Sequence, residues 1–138
     1  DSESRQSMLF VLAERIARLA QEKAKQLGIP MTISIVDEAG RLVYCARGDG
    51  TGFLTPDTSR AKAAAAAAFR RPTMDMVELR KTNPFWESLP ALTRGEILTT
   101  GGAVPIVREG RVIGAIGCGG GTPQQDHECA LAGANLAG

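Results

Sequence analysis

Cysteine, histidine and aromatic residues are scarce in this chain of 138 residues, and each shortage narrows the reading. Three cysteines, Cys45, Cys118 and Cys129, are too few for a disulfide framework, and no two are spaced CxxC. Reduced, partly buried thiols are expected. The sole histidine, His127, lies two residues before Cys129. Positions two apart on a helix do not face each other, so the two are no metal pair. No apolar run approaches the ~20 residues of a membrane-crossing helix. An excess of one charge is also missing: sixteen Lys and Arg against fifteen Asp and Glu leave +1. Neither nucleic acid nor a membrane surface is therefore an expected partner. No GxSxG, HExxH, P-loop or Rossmann signature occurs, so no mechanism follows from motifs. The stretch from Asp1 to Ser7 is polar and has no signal-peptide pattern. Cytoplasm is the default expectation, with a removed leader left open because the chain does not begin with Met.

What is present reads as one domain spanning residues 1–138, with an ordinary 43% hydrophobic and 22% charged content. From Met8 to Leu27, apolar residues such as Leu12, Ala13, Ile16, Ala20 and Ala24 recur at three- and four-residue spacing. That is an amphipathic helix, stopped by a left-handed cap at Gly28 and by Pro30. Two β-rich runs, 31–37 and 41–47, flank Glu38-Ala39-Gly40 and predict a hairpin. Thr55-Pro56 predicts a second helix with Thr55 as N-cap, running through six consecutive alanines to Phe69. So smooth a surface implies close approach of another backbone, from a sheet or a second subunit. Thr73 is expected to cap a third helix, and Asn83-Pro84 to begin a short turn. Strands follow at 97–100, 103–108 and 111–118, the last two joined at Glu109-Gly110. Thr122, Pro123 and Gln125 satisfy the capping-box pattern for a final helix to about Leu136. The expected fold is α/β of the α+β type: a five-stranded antiparallel sheet packed with helices.

Chemistry is expected around glycine turns. Gly119, Gly120, Gly121, Thr122, Gln125 and Asp126 form an elbow whose helix-start amides suit an anion such as a carboxylate. A tight strand-to-helix turn with no ligand explains the same residues. Gly101 and Gly102 form a second turn before a strand that Pro105 assigns to an edge or bulge. Arg60 and Lys62, after a glycine-rich loop, are candidates to meet an acidic ligand, and equally ordinary solvated charges. Asp37, at the end of a strand, is a candidate acid–base group or a turn former. His127 is a candidate haem ligand, since one axial histidine suffices.

Five segments stand in order along the chain: Ile33-Ser34-Ile35-Val36-Asp37-Glu38-Ala39-Gly40, Ser59-Arg60-Ala61-Lys62-Ala63, Arg71-Pro72-Thr73, Gly101-Gly102-Ala103-Val104-Pro105-Ile106, and Ile113-Gly114-Ala115-Ile116-Gly117 leading into Gly121-Thr122-Pro123-Gln124-Gln125-Asp126. Taken together they resemble the GlcG/HbpS-like haem-binding family, which includes the C-terminal domain of PduO-type corrinoid enzymes. The resemblance implies a profilin-like fold, homo-oligomers from dimer to octamer, and either haem binding or a place in small-acid catabolism. Relatives usually carry an acid after Asp126; this chain has His127, and its first helix has no histidine. The leading expectation is a small-ligand binding protein for haem or a related tetrapyrrole. The alternative is an enzyme acting on a small carboxylate, with glycine turns as cradle and Arg60, Lys62 or Asp37 supplying charge or acid–base work. A structural or regulatory role is the third.

Overall fold

A computed structural model describes residues 7–136; the polar opening segment 1–6 and the last two residues lie outside the described residues. The order is α1 (Phe10–Leu27), β1 (Thr32–Asp37), β2 (Leu42–Ala46), α2 (Thr55–Phe69), α3 (Thr73–Arg80), α4 (Pro84–Leu92), β3 (Ala103–Arg108), β4 (Arg111–Gly119) and α5 (Pro123–Ala134). The four described strands pair antiparallel throughout, in the order β2-β1-β4-β3. β1 and β4 are therefore central, and both are buried along most of their length.

The two faces of the sheet are covered by different chemistry. On one, Ile16, Ala20 and Ala24 of α1 and Cys129 and Ala130 of α5 pack with Ile33, Ile35, Ile106 and Ile116. On the other, Ala63, Ala66 and Ala67 of α2 meet Val36, Ala103 and Ala115. The alanine tract is thus smooth because a sheet lies against it. A Cβ on Gly117 would overlap the Ser59 carbonyl and sit 3.0 Å from the Ala63 amide, so helix backbone rests almost directly on strand backbone. Such an approach excludes any side chain larger than hydrogen at that strand position.

Four expectations are corrected. The sheet has four strands rather than five. Residues 97–100 make no ladder, because Leu98 N–H donates to Ala61 O (3.2 Å) on α2 and the Thr99 hydroxyl donates to Trp86 O (3.2 Å). Thr55 is the first residue of α2 rather than its cap; its hydroxyl bonds Thr32 Oγ1 (2.7 Å) and Gly52 O (2.8 Å). Thr73 likewise begins α3, and its hydroxyl accepts from Ala103 N–H at 3.0 Å, tying that helix to β3. Asn83-Pro84 starts a nine-residue helix, with Asn83 accepting from Phe85 N–H (3.1 Å) and Pro90 inside it. Pro90 argues against a helix at the sequence level, but α4 ends within two residues of it. The other signals appear as expected. Gly28 has φ 73°, Glu109 and Gly110 have φ 52° and 75°, and Pro105 lies on the edge strand β3.

Candidate functional site

Lys62 projects from the sheet-facing side of α2, where the small Gly101-Gly102 turn leaves room for a long side chain. Its Nζ lies 3.3 Å from Asp126 Oδ2 and 3.4 Å from Gly101 O. The two charged side chains are 5% and 7% exposed. Asp126, in the first turn of α5, also accepts the Gly121 N–H at 2.9 Å through Oδ1. Gly102 closes the cluster. It has φ +129°, its carbonyl accepts Cys118 N–H (2.9 Å), and a Cβ there would lie 2.7 Å from Lys62 Nζ. Lys62, Asp126, Gly101, Gly102 and Gly121, separated widely in sequence, therefore meet at one buried point.

Burial dominates the electrostatics here. It raises the Asp126 carboxyl above its ordinary value, against the opposing pull of Lys62 and the Gly121 hydrogen bond. The neighbouring Cys118 thiol is pushed well up, chiefly by burial. Cys129 is pushed up to about 11, again first by burial. These are the marks of an interior ion pair flanked by inert thiols.

The elbow from Gly119 to Asp126 is built largely from its own groups. Thr122 and Gln125 exchange a full capping box: Gln125 N–H donates to Thr122 Oγ1 (3.2 Å), and Thr122 N–H to Gln125 Oε1 (3.0 Å). With Gly121 N–H bound to Asp126, two amides that suited an external anion already hold side-chain acceptors of this chain. Gly119 is buried against Thr55 and Thr58, and Gly120 has φ +140° with the Pro30 carbonyl 2.6 Å from where a Cβ would stand.

The remaining candidates lie elsewhere. Asp37 is at the far end of β1, where its Oδ1 accepts the amides of Ala39 (2.9 Å) and Arg41 (3.0 Å) and shapes the hairpin turn. Arg60 points the other way from Lys62, donating to Gly95 O (3.2 Å) and Glu96 O (3.4 Å). His127 is half-buried on α5, and its Nδ1 is buried with no hydrogen-bond partner among the described residues. Among the described residues no group of three or more His, Cys, Asp or Glu could hold a metal ion. A cleft of about 480 Å³ runs along the C-terminal half of α1, lined by Arg18, Gln21, Glu22, Lys25, Gly28 and Ile29. None of these is a sequence-predicted site residue; amphipathic spacing marks Arg18, Glu22 and Lys25 simply as the wet side of a helix, and Gly28 as its cap.

A family model described as haem degrading protein HbpS-like matches residues 10–135, from the start of α1 to just past the end of α5. The chain belongs to this family. Protein GlcG of Escherichia coli K12 is 32% identical over 107 residues, covering 77% of this chain and 76% of GlcG. A double mutant of Streptomyces reticuli HbpS superposes with a TM-score of 0.85 at 28% identity, over 98% of this HbpS-like chain and 90% of the other. A PduOC:heme complex superposes at 0.84 with 26% identity, over 94% of both chains. Against the corrinoid adenosyltransferases PduO of Salmonella typhimurium and Citrobacter freundii, the match covers only 34% and 37% of those proteins. Among the described residues no helix is long and apolar enough to cross a membrane.

Proposed function

We propose that this HbpS-like chain binds a tetrapyrrole, with haem as the named ligand, as a homo-oligomer whose copies share a profilin-like fold. The observation that carries the reading is that a protein of the same fold has a structure described as a heme complex. The residues present are compatible with the group. His127 is half-buried on α5, so part of its imidazole reaches the surface, and one axial histidine suffices to hold haem iron. In that role His127 would hold the iron, whose redox and ligand-binding chemistry the haem itself supplies. Oligomer formation would cover apolar side chains left in water, among them Phe53 at 79% and Leu92 at 73% exposure.

A second reading is an enzyme acting on a small carboxylate. It is favoured by the Lys62–Asp126 pair beside both glycine turns. It requires the elbow to open, since its amides and cation already hold carbonyl and carboxylate oxygens of the chain.

Hemin titration separates the readings. The expected result is a saturable Soret shift in the wild type that weakens in His127→Ala. An unchanged spectrum in the variant removes His127 as ligand, and absence of any shift in the wild type refutes tetrapyrrole binding.

A further inference from the structure

The turn of the β1–β2 hairpin, the outer side of α2 and residues 96–97 enclose a groove of about 230 Å³ that neither reading uses. Its lining includes Gly40, Ala64 and Ala68, which carry nothing larger than a methyl group, together with Ile97. Two guanidinium groups, that of Arg41 in the lining and that of Arg60 behind it, converge on the lining residue Glu96. Arg41 Nη1 and Arg60 Nη1 each lie 3.6 Å from the same atom, Glu96 Oε2. Charge-assisted N–H···O bonds are ~2.7–2.9 Å long, so Glu96 neutralises the two arginines loosely and hydrogen-bonds neither through its carboxylate. Arg60 is anchored by the carbonyls of Gly95 and Glu96, whereas the Arg41 and Glu96 side chains are 75% and 59% exposed. Glu38, the other carboxylate lining the groove, is paired with Arg111 at 3.6 Å. Two positive groups thus share one negative group at a small, smooth-floored groove.

We propose that this groove binds a small oxyanion: a carboxylate or phosphate group on a molecule of few heavy atoms, which displaces Glu96 from between Arg41 and Arg60. The planar fork of arginine matches both groups and holds them with two parallel hydrogen bonds. A groove this small lies below the ~300–1,000 Å³ of sites for drug-sized ligands, which limits the occupant to a compact anion. Glu96 acts as an internal competitor: its own carboxylate occupies the charge when the ligand is absent. The site shares no residue with His127 or with the Lys62–Asp126 pair, so it stands whether or not a tetrapyrrole binds.

The test is calorimetric titration with malonate and, separately, inorganic phosphate, against wild type, Glu96→Gln and Arg41→Ala, with amide shifts mapped by NMR. Both substituted side chains are exposed, so the fold is retained. Expected are salt-sensitive binding with shifts at Gly40, Ala64 and Ile97, affinity raised about fivefold in Glu96→Gln, and affinity lowered about tenfold in Arg41→Ala. Preference for malonate assigns a carboxylate ligand, and preference for phosphate a phosphate ligand. Failure of both probes to saturate Glu96→Gln, or equal affinities in all three proteins, overturns the proposal. Hemin titration of Glu96→Gln should match wild type, so failure of the haem reading and failure of this one are separately visible.

Discussion

Removing the Asp126 carboxylate isolates what the buried pair contributes. In Asp126→Ala, Lys62 is left at 4% exposure without its carboxylate partner, and the Gly121 amide loses its acceptor. Deleting one partner of a buried ion pair costs about 3–5 kcal/mol, a range that already contains part of the lost amide bond. For a chain of this size that is a fall in Tm on the order of 10 °C. Urea unfolding at neutral pH gives the free energy directly. The companion variant Lys62→Met/Asp126→Asn removes both charges while keeping an oxygen for Gly121 N–H, and should recover most of the loss. Linkage supplies a second arm. The Asp126 carboxyl is raised in the folded state above its unfolded value of ~3.9, so the folded protein holds that proton more tightly. The contribution is therefore full below about pH 4 and is lost as pH rises through the raised folded value. Relative to Asp126→Asn, the wild type should lose stability across that window. An Asp126→Ala protein within about 1 kcal/mol of wild type, or a double variant no better than the single, refutes the reasoning.

Other outcomes follow from the packing. Gly117→Ala should cost about 3 kcal/mol or more in urea unfolding, because its methyl would meet α2 backbone that cannot turn away; a neutral result would mean that α2 does not rest on β4. Gly120→Val should also lower stability, given its φ of +140° and the nearby Pro30 carbonyl, so it tests architecture rather than ligand affinity. A thiol reagent at mild alkaline pH should modify one cysteine quickly, the exposed Cys45, and reach buried Cys118 and Cys129 only on unfolding; three equally fast thiols would contradict that burial. Light scattering at micromolar concentration should give a multiple of the 14.5 kDa chain mass, and a monomer would refute the proposed assembly.

Local signals were legible wherever one short segment satisfied its own requirements. The 3.6-residue periodicity of α1, the left-handed Gly28, the Glu109-Gly110 turn and the Thr122–Gln125 capping box each depend on neighbours within a few residues. So did the choice of Gly101, Gly102, Lys62 and Asp126 as residues worth watching. What those residues do together was not legible. Lys62 and Asp126 are 64 positions apart, and they meet because the end of β4 lies over the N-terminal half of α2 and hands the chain to the first turn of α5 beside Lys62. Residues 97–100 have strand-forming side chains, yet the carbonyl of Ala61 on α2 takes the Leu98 amide that a ladder would need. Arg60, two residues from Lys62, faces another direction because successive helix positions do not share a face, and its partner is Glu96. Sequence alone thus determined those helices and hairpin turns and the caps at Gly28 and Thr122, since they rest on backbone preference and nearest-neighbour hydrogen bonds. Only the tertiary structure decided that the elbow's amides hold this chain's own side chains, because burial and long-range charge pairing exist only once the layers are stacked.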